Sequence, residues 1–202
     1  METGGTPVLR LIGAHQQRNA ALAVATVRAL QSKIPVSEEV IRSGLNNVQW
    51  PGRMQLVTTP AGRKILLDGA HNIDGAKTLV SALKENFSEK PALILGILQD
   101  KNWREICAEL TPQVSRILAV RVASERSAEP EQLRDACREI RPNLHIDAFN
   151  SLSEALDDAA NEKFVLIAGS LYLIGEAMEL LHLIEPPGTD EKSLNEWTAR
   201  KL

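Results

Sequence analysis

A short polar segment, Leu67-Asp68-Gly69-Ala70-His71-Asn72, follows an apolar run that has the character of a strand. Asp68 is expected at the carboxyl end of that strand, and Asn72 at the start of the next helix. An aspartate in this position can accept hydrogen bonds from the hydroxyls of a ribose, as in other doubly wound sheets. Asp and Asn also commonly cap the first turn of a helix. The pattern alone therefore supports a ligand site and a helix cap equally well.

Other polar side chains in the chain could also bind ligands, each with a plainer alternative. Arg53 follows Pro-Gly, and its fixed cationic fork suits a phosphate as well as a surface ion pair. Lys101 could bind a substrate carboxylate or remain solvated in its loop. Ser170, preceded by glycine, lies where free backbone N–H groups could hold an anion, or it could simply cap its helix. Asn19 and Gln16 could contact a base edge or cap a helix. Taken singly, the plainer roles are favoured.

The elements that must position these residues alternate between strands and helices. Short runs bounded by turn residues alternate with stretches of helical periodicity. Asn46-Asn47 and Trp50-Pro51-Gly52 are predicted to be loop, because Pro and Gly break regular structure. The predicted strands are 8–12, 54–58, 64–67, 92–98, 116–122, 145–149 and 164–168. The predicted helices are 15–31, a short helix capped by Ser37, 73–87, 102–110, 130–140, 152–161 and 171–183.

Two predicted strands, Ala-Leu-Ile-Leu-Gly-Ile-Leu and Phe-Val-Leu-Ile-Ala, are almost wholly apolar. Strands covered on both faces have this composition, so we predict an α/β fold with a Rossmann-like, mostly parallel sheet and helices on both faces. Ligands on such a sheet usually bind beyond the carboxyl ends of the strands. We therefore expect a site in the loops that begin at Asp68, Gln99, Ala123 and Gly169.

The composition argues against several classes of function. The chain has 202 residues, 44% of them hydrophobic, and a net charge of −3, as is typical of a globular protein. Without a basic excess or aromatic platform we predict no nucleic-acid partner. No apolar run approaches the ~20 residues needed to span a bilayer, so we predict no membrane partner. We see no signal peptide and expect a cytoplasmic protein in which Cys107 and Cys137 stay reduced.

Five segments, taken together, change the interpretation of the chain. In this order and spacing they resemble the C-terminal half of folylpolyglutamate synthase/dihydrofolate synthase, a branch of the Mur ligase superfamily. The resemblance spans about residues 8–184, and it implies an α/β domain of the Mur ligase C-terminal type, preceded by a helical remnant of a central ATPase domain. The segments are His15-Gln16 with Asn19-Ala20-Ala21, Trp50-Pro51-Gly52-Arg53-Met54-Gln55, Leu67 to Asn72, Gly96 to Lys101, and Gly169 to Glu176.

The resemblance implies an ATP-dependent amide ligase. Such an enzyme phosphorylates a carboxylate of dihydropteroate or of a folate, because a carboxylate is a poor electrophile until it carries a good leaving group. The amine of L-glutamate then attacks the acyl phosphate, an amide forms, and ADP and phosphate are released. Charge must be stabilised on the transferring phosphoryl group and on the tetrahedral oxyanion.

The resemblance also implies roles for residues at matching positions around the nucleotide. Asn19 is expected to contact the adenine end of ATP, Arg53 to reach the phosphates, and Asp68 to bind the ribose. His71 belongs to the same motif as Asp68 and is expected to lie close to the nucleotide. Arg53 and His71 are therefore the two residues implied to be catalytic.

Lys101 and Ser170 match positions that, in related ligases, face the incoming amino acid. Two departures from the family pattern accompany them. Ile73 stands where the family often has proline, which should affect only the start of the helix. Gln99-Asp100-Lys101-Asn102 replaces a common Lys-Asp-Lys-Asp, which weakens the assignment of Lys101.

No Gly-x-x-x-x-Gly-Lys-Ser/Thr segment occurs in the sequence. This P-loop supplies the N–H cradle, the phosphate lysine and a metal hydroxyl in such enzymes. The resemblance implies that the P-loop, the Mg²⁺ ligands and the folate-contacting segments lie in an N-terminal half supplied in cis or in trans. We therefore expect no metal site in this chain and no turnover by it alone. The expected regions are 1–48 (end of the ATP-binding domain), 49–185 (α/β domain) and 186–202 (flexible tail).

Two other functions stay open at this stage. The chain could be a non-catalytic module that binds a nucleotide or an amino acid, or a sister Mur-type amino-acid ligase with another substrate. The His-Gln…Asn and Gly-Ser-Leu-Tyr-Leu segments favour a folate substrate over a cell-wall substrate. A P-loop fragment encoded directly upstream would favour the ligase over the binding module.

Overall fold

The computed structural model describes residue 9 and residues 11–184. The strand predicted over 8–12 lies partly outside them, and Leu11 and Ile12 are not in a strand. The predicted tail, 186–202, lies wholly outside. The strands are β1 (Gln55–Thr58), β2 (Lys64–Asp68), β3 (Ala92–Leu95), β4 (Arg116–Val120), β5 (Ile146–Phe149) and β6 (Phe164–Ala168). The helices are α1 (Ala14–Ala29), α2 (Glu38–Asn47), α3 (Ile73–Asn86), α4 (Trp103–Leu110), α5 (Pro130–Ile140), α6 (Leu152–Asp158) and α7 (Leu171–Leu180).

The six strands form one sheet in the order β1-β2-β6-β3-β4-β5. The five strands from β2 to β5 in this order run parallel, and β1 pairs with β2 antiparallel through a hairpin. The predicted turn at Pro60-Ala61-Gly62 lies in this hairpin, where the N–H of Thr59 donates to the carbonyl of Arg63 at 2.9 Å. The predicted mostly parallel α/β fold is therefore confirmed.

Helices cover both faces of the sheet because alternate residues of each strand point to opposite sides. Leu66, Leu93 and Leu166 pack on the face that carries α3, α4 and α5. Ile65, Ile94 and their neighbours pack on the face that carries α6 and α7. Every residue of β3 and of β6 is buried, as their continuous apolar sequences predict.

Helix α2 begins as predicted and ends later than predicted. The Ser37 hydroxyl accepts a hydrogen bond from the N–H of Val40 at 3.3 Å, so Ser37 is the N-cap. The prediction that Asn46-Asn47 form a loop is wrong, because both residues complete the last turn of α2. The Asn47 amide donates to the Ser43 carbonyl one turn earlier at 2.9 Å, which satisfies a polar side chain inside the helix.

Helices α1 and α2 form a helical segment, defined here as residues 11–48, that is far more exposed than the sheet. Leu22 is 68% exposed, Ile34 60% and Val40 59%. A bidentate ion pair between Arg28 and Glu38, with N···O distances of 3.0 and 2.9 Å, joins the two helices. Among the described residues, no helix is both long enough and apolar enough to cross a membrane.

Candidate active site

The loops predicted to hold a site share one edge of the sheet, called here the carboxyl edge. Strands β2, β6, β3 and β4 are parallel neighbours, so the loops that follow them start side by side. The carbonyl of Gly96 would lie 2.5 Å from a Cβ built on Gly169, whose φ is +113°. Only glycine allows this approach without displacing the backbone, so the loops after β3 and β6 are closely packed where they leave the sheet.

Asp68, the last residue of β2, is buried and connects two backbone segments. Its Oδ2 accepts from the N–H of Met54 and its Oδ1 from the N–H of Ala70, both at 2.9 Å. Burial raises the pKa of the Asp68 carboxyl, while these two hydrogen bonds and the nearby Arg53 charge oppose the rise. Asp68 does not cap α3, because Asn72 takes that role with its Oδ1 accepting from the N–H of Gly75 at 2.7 Å.

The bonds to Asp68 and to the adjacent Gly69 fix the loop that carries Arg53. The N–H of Gly69 donates to the carbonyl of Gly52 at 2.9 Å. Gly52 has a φ of +71°, and a Cβ there would meet the Ile174 side chain at 2.5 Å, so the loop lies flat against α7. The backbone of the half-buried residue Arg53 is therefore held beside the carboxyl edge, and its charge acts on Asp68.

The start of α1 lies near the same carboxylate. Burial lowers the pKa of His15, and Asp68 opposes this by favouring the charged imidazole. Gln16 is buried, and its Oε1 accepts from the Asn19 amide at 3.4 Å. Asn19 itself is exposed, so its amide can reach a ligand outside the helix. The predicted residue Asn19 is thus one helical turn after His15, whose imidazole lies near Asp68.

His71 is half-buried, and its orientation is set by its own loop. Its Nδ1 lies 2.7 Å from the carbonyl oxygen of Gly69. A carbonyl can only accept, so this contact requires the proton on Nδ1 and leaves Nε2 as the second ring nitrogen available to another group.

The other two predicted residues, Lys101 and Ser170, lie further along the carboxyl edge. Ser170 is buried at the end of β6, and its Oγ accepts from the N–H of Tyr172 at 3.2 Å, so it is the N-cap of α7. Lys101 follows β3, and its Nζ lies 3.5 Å from Asp100 Oδ2. Since β6 separates β2 from β3, Ser170 lies between the Asp68 loop and the Lys101 loop.

Two residues of the site were not assigned by sequence reasoning. His15 belongs to a motif that was recognised, but its proximity to Asp68 joins residues far apart in sequence. Arg126, in the loop after β4, donates from one guanidinium nitrogen to both oxygens of Asp100 at 2.9 Å. No local motif identifies Arg126. Its position could be inferred only from the predicted parallel sheet, in which its loop and the Lys101 loop begin at the same edge.

A cleft of about 310 Å³ adjoins the loop that carries Arg53. Its walls include the apolar residues Leu11, Ile12, Trp50 and Leu56, with Arg53 also among the lining residues. A mostly apolar cleft that is also lined by an arginine suits a ligand with a flat ring and an anionic group. The described residues contain no cluster of three His, Cys, Asp or Glu side chains that could hold a metal ion.

Comparison with known proteins identifies related chains. The family model described as Mur ligase, glutamate ligase domain matches residues 52–171. The folylpolyglutamate synthase of Lacticaseibacillus casei is 37% identical over 174 residues, which cover 85% of this chain and 39% of that protein. The matched part of the chain thus spans about two fifths of the length of that relative.

Solved structures agree with the sequence comparison. Mycobacterium tuberculosis folylpolyglutamate synthase complexed with ADP and AMPPCP superimposes with a TM-score of 0.76 and 28% identity, covering 90% of this chain and 43% of that one. Escherichia coli FolC in complex with DHPP and ADP gives a TM-score of 0.72 and 31% identity, covering 83% and 39%. In each case most of this chain matches less than half of a longer chain.

Proposed function

The chain belongs to the Mur ligase family through its glutamate ligase domain, and we propose that it is the C-terminal part of an ATP-dependent amide ligase. The proposed reaction joins L-glutamate to dihydropteroate or to a folate through an acyl phosphate. The observation that supports it most directly is that the loop carrying Arg53 is joined to Asp68 at the carboxyl edge of the sheet, through the Met54 N–H to Asp68 bond of 2.9 Å.

Arg53, Asp68 and Asn19 are proposed to hold the nucleotide. When bound, ATP supplies the phosphoryl group that activates the substrate carboxylate. Arg53 presents a permanent cation to the phosphates from a loop that is already ordered, so little entropy is lost on binding. Asp68 accepts one backbone N–H on each oxygen, and each oxygen keeps a second lone pair for a ribose hydroxyl. Asn19 offers an exposed amide for the adenine.

His71, Lys101 and Ser170 are proposed to act near the incoming amino acid and the phosphates. His71 has Nδ1 occupied by a carbonyl, which leaves Nε2 to contact the reacting groups. Lys101 is half-buried at the carboxyl edge and can attract a glutamate carboxylate. The Ser170 hydroxyl already accepts one N–H and retains its own proton for donation to the amino acid.

The rest of the catalytic machinery is proposed to come from an ATP-binding half, in cis or in trans. We infer that 1–48 is the end of that domain, 49–185 the glutamate ligase domain, and 186–202 a tail. The exposed apolar side chains Leu22, Ile34 and Val40 support the assignment of the helical segment to another domain. A helical segment that packed only on the α/β domain of this chain would bury more of these side chains. The Mg²⁺ ligands are proposed to lie in the same half.

The test is ADP release in the presence of ATP, magnesium, glutamate and a folate or dihydropteroate acceptor. We expect none from the chain alone and acceptor-dependent release once an ATP-binding half is added. Release by the chain alone would overturn the proposal that it is incomplete. Binding of ATP or glutamate without release, even with the added half, would instead favour a non-catalytic binding module.

Substitution of Arg53 tests the proposed phosphate contact directly. In the combined enzyme Arg53→Ala should lower kcat/KM by about a thousandfold, as expected for a cation that contacts transferring phosphate. Arg53→Lys keeps the positive charge but lacks the planar guanidinium, so its kcat/KM should lie between those of the wild type and of Arg53→Ala. Arg134→Ala is the control, because Arg134 pairs with Asp135 on α5, in a helix on one face of the sheet. Unchanged turnover in Arg53→Ala would show that the phosphate role is wrong.

A further inference from the structure

Two loops of the carboxyl edge are joined to each other by their backbones. The N–H of Gln99, after β3, donates to the carbonyl of Arg126, after β4, at 2.7 Å. The N–H of Ala128 donates to the carbonyl of Ile97 at 2.9 Å, and the residues between them form an antiparallel bridge. The two loops therefore hold their side chains in a fixed relation to each other.

Asp100 lies between two cations that compete for it. Nη2 of Arg126 donates to both Asp100 oxygens at 2.9 Å, whereas Nζ of Lys101 lies 3.5 Å from one of them. The pKa of Asp100 is lowered, chiefly by its hydrogen bonds with Arg126, so the carboxylate is ionised at neutral pH. The three side chains together carry one net positive charge, and the closer partner of Asp100 is Arg126.

We propose that Arg126 is a positioning residue for glutamate binding, because by engaging Asp100 it leaves the charge of Lys101 available to a substrate carboxylate. The inference rests on the proposed function, and specifically on the role proposed for Lys101. Lys101 already lies 3.5 Å from Asp100, and without Arg126 it is the sole remaining ion-pair partner among the described residues, so the carboxylate neutralises its charge. Tyr172 lies near the Arg126 guanidinium and its N–H bonds to Ser170, so the Arg126–Asp100 pair adjoins both residues proposed to face the amino acid.

The experiment measures KM for glutamate and for ATP in the chain combined with an ATP-binding half. Arg126→Ala should raise KM for glutamate about tenfold, a typical loss for one charge-assisted contact, with KM for ATP unchanged. Adding Asp100→Ala to that variant should restore most of the lost affinity, because Lys101 is then free again. A residue that merely supports the fold would not be rescued by removing its partner as well.

Arg134→Ala is the matched control, since it breaks a similar arginine–aspartate pair at 2.9 Å on α5 and should leave both KM values unchanged. If Arg126→Ala lowers the urea midpoint, Arg126→Gln repeats the test with a side chain of similar length. A glutamate KM that does not change, or a double variant as impaired as the single one, would overturn the inference. No turnover by the wild-type combination would overturn the proposed function and this inference with it.

Discussion

The α/β unit, residues 52–184, and the helical segment, residues 11–48, differ in what their apolar side chains contact. Strands β3 and β6 are buried along their whole length between two layers of helices. In the described part of the helical segment Gln16 is the single buried residue, and large apolar side chains such as Leu22 remain exposed. The α/β unit therefore holds nearly all of the buried apolar area that stabilises the fold.

The helices of the two regions also differ in what stabilises them. Helices α3, α4 and α5 bury an apolar face against the sheet. Helices α1 and α2 depend on local features, namely the Ser37 cap and the Arg28–Glu38 pair. Since most helical stability in proteins comes from packing, the helical segment should be the less stable part of the chain.

The largest test of this comparison is a pair of leucine truncations. Leu93→Ala, in the centre of the sheet with no exposed surface, should lower the free energy of unfolding by about 4 kcal/mol, because it leaves a cavity. Leu22→Ala, at a site 68% exposed, should change it by less than about 0.5 kcal/mol. Urea denaturation followed by circular dichroism measures both. Similar losses at the two sites would show that the helical segment packs on something in this chain.

A pair of glycine substitutions gives an intermediate effect. Gly169→Ala should cost about 2–3 kcal/mol, since φ is +113° and the new Cβ would lie 2.5 Å from the Gly96 carbonyl oxygen. Gly44→Ala lies inside α2, where a Cβ meets nothing within 4 Å, and should stabilise that helix by up to about 1 kcal/mol. Thermal unfolding of the two variants checks the contrast. An unchanged melting temperature in Gly169→Ala would mean that the loops after β3 and β6 can move apart at little cost.

The smallest effects are expected from two glutamates, one in each region, whose contributions to the free energy of unfolding should depend on pH in opposite directions. Burial, and then Glu179, raises the pKa of Glu176 on α7, and its Oε2 lacks a hydrogen-bond partner among the described residues. Its contribution to stability is therefore full below the ordinary value of 4.5 and is lost as pH rises through the raised pKa. Glu176→Gln should be more stable than the wild type at pH 7, and equally stable in acid.

Glu38 should behave in the reverse way. Its hydrogen bond with Arg28 lowers its pKa, so its contribution is present above the ordinary value of 4.5 and is lost as pH falls through the lowered pKa. Glu38→Gln should therefore be slightly less stable than the wild type at pH 7, and high salt should remove the difference because the pair is exposed. Urea midpoints measured at pH 3 and pH 7 test both glutamates. Slopes of the same sign would contradict the contrast.

Much of the α/β unit could be predicted from the sequence because its signals are local. Continuous apolar runs identified β3 and β6, and the turn residues Pro60-Ala61-Gly62 identified the hairpin. The strand order could not be predicted, because it depends on which apolar surfaces pack together. Cys107 and Cys137 illustrate such packing, since they are distant in sequence and yet α4 and α5 bury both in the same apolar cluster on one face of the sheet.

The candidate site was predictable in its location rather than in its contacts. Asp68 and Ser170 were expected at strand ends, and the parallel sheet brings those ends to one edge. The bond from Met54 to Asp68 depends on a loop that folds back across a sheet edge, which no residue pattern encodes. The Arg126–Asp100 pair likewise joins loops that meet only because β3 and β4 are neighbours.

Trp50 is 60% exposed on the wall of the cleft beside Arg53. An indole in water emits at longer wavelength than one covered by protein, so Trp50 is a built-in optical probe of this cleft. Trp103 is already half-buried beneath Arg104, whose guanidinium lies 4.6 Å from its ring, and it contributes to the background signal together with Trp197, which lies outside the described residues. Covering of the cleft by a ligand or by another domain can thus be followed by fluorescence without attaching a label.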